Sequence, residues 1–524
     1  MLKNFFTKYS YELSFNLLIL FIFIFFYGYF GDINVDSFRE AYIPTQMLAK
    51  KTLYKDIFMI YAPFSYFFNS LLYLIFGQNL TVLYISGLTF TLGITNISYK
   101  LASRFIEKKY SLSILLFFIT TAILSPNVFN TIFPYSYGML YGLFFILCSV
   151  YLILCKKETL SYLFYSLAIC SKYEFIFILP LLIYLSTKKN ILKNILALIF
   201  PPLLCLILLF IQGVSINDIV TSFSIVTTMT TTKTLKWFYS IMGYNLSISH
   251  IPIYLSNFLQ ILLPIGIITY IRKNWIIPFA FIYLCFLLNN ASFIYLYPLI
   301  TILLIFRYKY LSKQELIMIL ASILISLKVF FAMTIQSYGI YFFIFALISL
   351  YILTPKKIRK GIFIILILSS VIFSYQNSQQ LLQKNVKIKS DNGIVRTTSF
   401  YGKSYLTMLS YITNNTTAQD MIVVYPEGLA INFLSQRFSD NKFYSLIPLY
   451  VETFSENIII ERLKIIKPKF IIITDYDTSD YYFKSFGLDY AENIKKYIEE
   501  DYTIVNEYNT GMSYKIYQIK EINN

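Results

Sequence analysis

The sequence predicts a polytopic α-helical membrane protein of about 13 spans with a C-terminal α/β domain outside the cytoplasm. Three observations lead to this prediction. The chain of 524 residues is 57% hydrophobic and only 14% charged, which is far too apolar for a soluble protein. Apolar runs, most of them long enough to cross a bilayer, alternate with short basic loops up to residue 375. From residue 376 the composition becomes that of a soluble domain.

The distribution of charge indicates an orientation and argues against binding to nucleic acid. The net charge is +17, and residues 1–375 hold 28 Lys and Arg against 10 Asp and Glu, mainly in short loops. Residues 376–524 hold 16 basic and 17 acidic residues and are nearly neutral. Basic residues concentrate in the cytoplasmic loops of membrane proteins. We therefore expect a multi-pass protein of the cell (inner) membrane, with a cytoplasmic N-terminus and a periplasmic or extracellular C-terminal domain.

The apolar runs define the predicted spans. Residues 13–30 resemble a signal peptide, but no small-residue cleavage site follows, so we interpret them as a retained first helix. Two short runs, 160–171 and 174–187, are below spanning length and could be half-helices that meet at Lys172. The other runs are 80–99, 111–126, 137–155, 191–211, 254–271, 275–290, 293–306, 314–333, 337–353 and 361–375.

The C-terminal part alternates strand and helix patterns. Residues 376–400 are polar and predict a linker, and residues 401–524 predict the α/β domain. Two apolar runs, 421–425 and 470–474, are typical of buried strands. Helical periodicity covers 452–466 and 488–500, and 502–508 with 514–519 could form a closing strand pair. Glu427 follows the first of these strands and is interpreted as a turn residue.

An acidic cluster directly after the first span is the main candidate for chemistry. The first outer loop, residues 31–61, carries Asp32, Asp36, Arg39, Glu40 and Asp56. Ionisable groups at a bilayer edge are costly unless water, a metal or a substrate uses them. A carboxylate beside an acceptor hydroxyl can act as a general base, or it can help to hold a divalent cation. The residues alone do not rank Asp32, Asp36 and Glu40 as the base, and no cofactor is certain.

The order of motifs after this cluster is similar to that of a known enzyme family. The series comprises Asp36, Ala49, Leu53-Tyr54-Lys55-Asp56, Ala62-Pro63-Phe64 and Phe76-Gly77. It resembles the GT-C glycosyltransferases that use polyprenyl-phosphate-linked sugars, in the branches of the protein mannosyltransferases and the lipid A aminoarabinose transferases. The resemblance covers the first 110 residues, and the later spans only by topology. Residues 327–339 and 423–437 resemble a late span and the first outer strand of some members.

The resemblance implies a GT-C-like fold and an inverting hexosyl- or pentosyltransferase. A sugar would pass from a polyprenyl phosphate or diphosphate to a glycan, lipid or protein acceptor at the outer face of the membrane. Asp36 matches the family's catalytic position, and the anionic leaving group would need cations. The chain departs from the family at two places. Some members have a lysine immediately before the proline, where this chain has Tyr61-Ala62, and several branches have an adjacent Asp-Glu pair, where this chain has Asp36-Ser37. The phosphate-binding candidates are Arg39, Lys55, Lys172 and Lys328, and the other site candidates are Asp56, Tyr54, Tyr61, Glu174 and Tyr338.

Three other functions remain open from the sequence. A surface-polysaccharide polymerase or ligase would usually place its chemistry in a long loop between late spans, but the loop 213–236 has no histidine and few cations. A lipid-linked-sugar flippase or transporter commonly shows inverted repeats and midplane charges, which we do not find. A catalytically inactive membrane scaffold is the third alternative.

Overall fold

The protein consists of a helical part followed by a mixed α/β part. The computed structural model describes residues 2–34, 37–187, 190–231, 296–327 and 339–520. The helices of the first part are α1 (Leu2–Phe25), α2 (Ser37–Leu48), α3 (Phe64–Phe76), α4 (Leu80–Ala102), α5 (Lys108–Phe118), α6 (Tyr137–Leu154), α7 (Glu158–Ser171), α8 (Leu179–Leu185), α9 (Ile191–Ile211), α10 (Ile216–Ser222), α11 (Ser224–Thr231), α12 (Leu296–Arg307), α13 (Lys313–Ile325), α14 (Gly339–Leu353) and α15 (Lys356–Leu382).

Within the described residues, four helices are long and apolar enough to cross a membrane. They are α4, α6, α9 and α15. Their surroundings differ: 78% of the apolar window of α6 is buried inside the protein, whereas only 22% of that of α9 is. The exposed face of α9 is apolar, which suits contact with lipid. The predicted number of about 13 spans is not confirmed, and the runs 254–271 and 275–290 lie outside the described residues.

The helical path is interrupted at Lys172, where the two short apolar runs meet. The helix α7 ends at Ser171, and Lys172 has extended backbone angles (φ −153°, ψ 117°). A 3-10 segment, Tyr173–Ile178, then leads into α8. This break places Lys172 at the junction of two helical segments, where its side chain is buried.

The second part is an α/β domain built on a four-stranded sheet. Its strand order is β3-β4-β6-β5, in which β3 and β4 are parallel and the other neighbours are antiparallel. A separate hairpin, β1-β2, precedes it. The elements are β1 (Val386–Ser390), β2 (Gly393–Thr397), α16 (Ser399–Asn415), β3 (Ile422–Tyr425), α17 (Leu429–Ser435), α18 (Pro448–Phe454), α19 (Glu456–Ile466), β4 (Phe470–Thr474), α20 (Glu492–Asp501), β5 (Tyr502–Tyr508) and β6 (Tyr514–Ile519).

The structure shows more order between the two parts than a linker would have. The helix α15 continues to Leu382, and the hairpin β1-β2 fills residues 386–397. The hairpin buries Ile388 and Val395 completely, and the backbone N–H of Arg396 donates to the carbonyl of Gly28 at 2.7 Å. These strands alternate apolar and polar residues over only five positions each, a pattern that is easily taken for a polar linker. The prediction of a linker at 376–400 is therefore corrected.

The loop that follows α1, residues 31–61, and the α/β domain pack against each other. The side-chain amide of Gln46 donates to the carbonyl of Ser439 at 2.9 Å, and the backbone N–H of Phe58 donates to the carbonyl of Lys442 at 3.1 Å. The Phe58 ring contacts the rings of Tyr450 and Phe454 at centroid distances of 5.2 and 4.6 Å. The loop also contains the helix α2, so it forms a structured layer beneath the domain.

A close backbone contact inside the helical part gives a test of this packing. A Cβ atom added to Gly87 of α4 would lie 2.0 Å from the carbonyl oxygen of Ile132. Because backbone must move to relieve this overlap, we expect Gly87→Ala to destabilise the protein by about 3 kcal/mol. The measurement is the unfolding midpoint in detergent, with Thr89→Ala at an exposed position of the same helix as the control. Equal midpoints for the two variants would contradict the packing of α4 on residue 132.

Candidate functional site between the first loop and the outer domain

The helix α2 carries two buried charged side chains. Arg39 is 4% exposed and Glu40 is 1% exposed. Charged residues are almost never buried to this extent unless they have partners. The two side chains lie 3.4 Å apart, between Arg39 Nη2 and Glu40 Oε1. A buried ion pair of this kind holds its neighbours in one arrangement, because removing either partner leaves an uncompensated charge.

Glu40 connects α2 to two other helices. Tyr66 of α3 donates its hydroxyl to Oε1 at 2.8 Å, and the backbone N–H of Tyr137 donates to Oε2 at 3.1 Å. Tyr137 is the first residue of α6, so the carboxylate meets an N–H group that has no partner within its own helix. Burial raises the pKa of the Glu40 carboxyl above its ordinary value, against the opposing effects of Arg39, Tyr66 and Tyr137.

The raised pKa of Glu40 predicts the pH dependence of stability. The folded protein binds this proton more tightly than the unfolded chain, whose pKa is close to 4.5. The stabilisation of the folded state by this bound proton is therefore fully present below pH 4.5 and is lost as the pH rises through the raised pKa of Glu40. We expect the free energy of unfolding of the wild type, relative to Glu40→Gln, to fall across this window. Unfolding midpoints of both proteins over a pH series measure this; a difference that does not change with pH would contradict it.

Arg39 and Lys172 approach the same tyrosine ring. The Arg39 guanidinium lies 4.7 Å from the centroid of the Tyr61 ring, and Lys172 Nζ lies 4.9 Å from it. The two cations are therefore no more than about 10 Å apart, although 133 positions separate them in the sequence. Arg39 also donates to the carbonyl of Tyr135 at 3.1 Å, and Lys172 lies 3.6 Å from Glu174 Oε1. We call Arg39, Lys172 and Tyr61 the cationic cluster.

Hydrogen bonds hold Tyr61 in place within the cationic cluster. Its hydroxyl is 2.8 Å from that of Tyr135, and the Tyr54 hydroxyl donates to its carbonyl at 2.8 Å. The ring of Tyr135 adds a second aromatic face, 5.2 Å from the Arg39 guanidinium. Lys172 is 5% exposed. The result is two cations, each beside a carboxylate, held close together in a largely water-excluded, aromatic surrounding, where charges interact strongly.

Of this cluster, Arg39 also lines a pocket with a cavity volume of about 20 Å³ that it shares with the α/β domain. From the first loop, Asn34, Phe38 and Arg39 line it, and from the outer domain Glu427 and Tyr444 do. Ser445 also lines the pocket and donates to Glu427 Oε1 at 2.7 Å. The pocket thus places a carboxylate of the α/β domain beside the arginine of α2.

Six of the site candidates from the sequence lie together in the structure. They are Arg39, Glu40, Tyr54, Tyr61, Lys172 and Glu174. Three others, Asp36, Lys328 and Tyr338, lie outside the described residues. Their roles stay predictions.

The remaining candidates lie away from the cationic cluster. Lys55 is exposed and donates to the carbonyl of Gly213 at 3.2 Å. Asp56 accepts hydrogen bonds from the backbone N–H and the hydroxyl of Thr52 at 2.9 and 2.8 Å, so it closes a local turn. Asp32 accepts a bond from the N–H of Asn34 at 2.8 Å. These contacts give all three side chains structural roles.

Asp32 also lies near a buried lysine at the end of α15. Lys384 donates to the carbonyls of Tyr29 and Gly31 at 3.0 and 2.9 Å. Burial lowers the pKa of Lys384 to about 8, and the carboxylate of Asp32 opposes this shift. Lys384 thus ties the last described span to the loop that follows α1.

Sequence reasoning missed several residues of this site. Tyr66, Tyr135 and Tyr444 carry no sequence signal, because tyrosine is abundant throughout the chain, with 48 copies. Glu427 was interpreted as a turn residue, yet it lines the pocket. Its position directly after a buried strand was the available signal. Within the described residues, no three or more His, Cys, Asp or Glu side chains form a group that could hold a metal.

The sequence matches no protein-family model and no curated protein. The structure is similar to ArnT from Cupriavidus metallidurans bound to undecaprenyl phosphate, with 10% identity, 97% and 98% of the two chains covered and a TM-score of 0.46. The apo state of the same protein gives 11% identity, the same coverage and a TM-score of 0.40. Scores this low do not carry a function from one protein to the other.

Proposed function

We propose that this protein is a membrane glycosyltransferase that moves a sugar from a polyprenyl phosphate or diphosphate carrier to an acceptor at the outer face of the membrane. The observation that carries the proposal is the cationic cluster. Two cations from distant parts of the chain meet on one aromatic ring, next to a pocket that opens at the outer domain. Arginine and lysine in a water-poor site are suited to hold a phosphate.

The chemistry of the reaction accounts for this arrangement. As the bond between the anomeric carbon and the phosphate oxygen breaks, negative charge grows on the phosphate. Arg39 and Lys172 stabilise that charge in the transition state without having to reorganise. The leaving group is already an anion and needs no proton donor. The acceptor hydroxyl loses its proton to a base as it attacks, which inverts the anomeric centre.

We assign the base to Asp36, a role that rests on the sequence resemblance. Residues on either side of it, Asn34 and Phe38, line the pocket beside Arg39. The structure supports a different role for Glu40, since both of its oxygens accept hydrogen bonds and the side chain is buried. We propose that Glu40 positions Arg39 and that Asp32 shapes the loop. A divalent cation would still find oxygen ligands in this loop, but the described residues form no complete set.

The direct test is an assay of the full-length protein in liposomes. A panel of polyprenyl phospho-sugars is supplied with an extract of envelope lipids and glycans as acceptor, and release of polyprenyl phosphate is measured. We expect release from at least one donor, and its loss in Asp36→Asn with normal insertion and folding. Movement of the intact donor across the bilayer without release would instead identify a flippase. Full activity of Asp36→Asn would reject the assignment of the base.

A further inference from the structure

A second pocket lies beside the first, between α2 and the outer domain. Its cavity volume is about 140 Å³. The helix α2, the turn of the hairpin β1-β2 and the helix α17 with the residues after it form its walls. The lining residues are Tyr42, Thr45, Gln78, Asn392, Asn432, Phe433, Gln436, Arg437 and Phe438.

The polar groups of this pocket are mainly side-chain amides. Gln78, Asn392, Asn432 and Gln436 each carry both a hydrogen-bond donor and an acceptor. Gln78 and Gln436 are exposed, and Gln436 donates its side-chain amide to Asn392 Oδ1 at 3.4 Å. No carboxylate is among the described residues that line the pocket. Amides of this kind suit a ligand whose own groups both donate and accept hydrogen bonds, as hydroxyls do.

The one cation of the lining is already occupied by the protein. Arg437 Nε donates to the Thr416 hydroxyl at 2.6 Å, and its Nη2 donates to the Thr416 carbonyl at 2.7 Å. The third nitrogen, Nη1, donates to the carbonyl of Ser435 at 2.7 Å. A guanidinium whose nitrogens all bond to the protein holds the loop together and is poorly placed to bind an anion. The lining therefore favours a neutral ligand.

A buried acceptor in the lining lacks a donor. Asn432 is 1% exposed, and its amide nitrogen donates to the carbonyls of Ile422 and Arg437, both at 3.1 Å. Its Oδ1 accepts no hydrogen bond from any residue that the structure describes. A buried polar atom without a partner costs free energy, and a ligand that supplied a donor there would recover it.

The aromatic residues supply the apolar side of the pocket. The rings of Tyr42 and Phe438 lie 6.5 Å apart, and Phe438 is half-buried. A sugar ring has hydroxyls at its rim and an apolar face of C–H groups. The combination of amides with aromatic rings matches both parts of such a ring.

The same two helices form this pocket and the one at the cationic cluster. On α2, Phe38 and Arg39 line the first pocket, and Tyr42 lines the second, three to four residues further on. On α17, Ala430 lines the first pocket and Phe433 the second. Three to four residues of helix rise by about 5 Å, one turn. The two pockets are therefore neighbours on one face, as two adjoining units of a glycan would require.

We propose that the second pocket is a subsite for a neutral sugar unit of the acceptor, an inference that rests on the function proposed above. The acceptor hydroxyl would reach the first pocket while a neighbouring sugar of the same acceptor occupies the amide-lined one. The subsite would then select glycan-bearing acceptors and would leave the donor phosphate to Arg39 and Lys172.

The test measures binding without transfer, so that it does not depend on the donor. Full-length protein in phosphatidylcholine nanodiscs is titrated with the methyl glycosides of glucose, galactose, mannose and N-acetylglucosamine, and with glucuronate. We expect at least one neutral glycoside to bind more tightly than glucuronate. In the double variant Gln78→Ala, Gln436→Ala its Kd should rise about 10-fold, from the loss of two hydrogen-bonding groups. Gln380→Ala, an exposed glutamine that lines neither pocket, should bind like the wild type.

Three outcomes would overturn the subsite. The first is that no neutral glycoside binds, and the second is that the double variant binds it as tightly as the wild type. The third is that a polyprenyl phospho-sugar competes with the glycoside, which would identify the pocket as part of the donor site. If the glycoside binds as expected but no donor is turned over in the liposome assay, the subsite stands and the proposed transfer fails. If transfer occurs without glycoside binding, the proposed transfer stands and the subsite fails.

Discussion

Replacing Arg39 with methionine should reduce sugar transfer by about 100- to 1,000-fold, the effect of removing one donor that stabilises charge in a transition state. Arg39 is the only described residue that contacts Glu40, the Tyr61 ring and the first pocket together. Its loss removes a cation from the phosphate and also disturbs the position of its neighbours. The measurement is kcat/KM for release of polyprenyl phosphate.

Two further variants separate catalysis from folding. Arg39→Met leaves Glu40 buried without its cation, which destabilises the protein. Arg39→Lys keeps the charge but loses the planar fork of donors, so we expect an intermediate loss of activity with near-normal stability. Arg462→Met is the matched control, because Arg462 pairs with Asp440 and lines neither pocket. Wild-type activity in Arg39→Met would contradict the role of the cationic cluster.

Lys172→Met should reduce kcat/KM by about 100-fold, whereas Lys55→Met should stay within about twofold of the wild type. Both lysines are phosphate candidates from the sequence, and only the structure separates them. Lys172 is buried against the Tyr61 ring, whereas Lys55 is exposed and donates a hydrogen bond to a backbone carbonyl. A cation in a water-poor site acts far more strongly on a phosphate than one in solvent.

The pair of variants controls for general effects on charge and insertion. Each variant removes the positive charge of one lysine, so a general effect of lost charge on expression would lower both variants equally. Lys172→Arg should recover part of the activity, because a cation is restored near the ring. Equal losses in Lys172→Met and Lys55→Met would show that the buried position has no special role.

Local patterns in the sequence predicted the elements of the outer domain well. Residues 470–474 form β4 with the predicted bounds, and 502–508 and 514–519 form the closing pair. The first strand begins at Ile422, one residue later than predicted. Buried strands of valine and isoleucine bounded by turn residues are recognisable without tertiary information. The hairpin β1-β2 was missed because its strands of five residues each alternate over too short a stretch to differ from a polar linker.

The site was predictable as a set of residues but not as a geometry. Arg39, Tyr61 and Lys172 were all candidates, yet no local pattern indicates that two cations meet on one ring. A lysine within an apolar run carries an insertion cost, which was the signal that could have ranked Lys172 above Lys55. Glu427 reaches the site only because the outer domain packs on the first loop, and such docking leaves no periodicity to detect.

The most direct test of the account is a structure of the protein with undecaprenyl phosphate bound, determined by cryo-electron microscopy in nanodiscs. We expect the phosphate oxygens to lie about 3 Å from both the Arg39 guanidinium and Lys172 Nζ, beside the Tyr61 ring. A phosphate bound at another part of the surface, with Arg39 and Lys172 in contact only with protein, would contradict it.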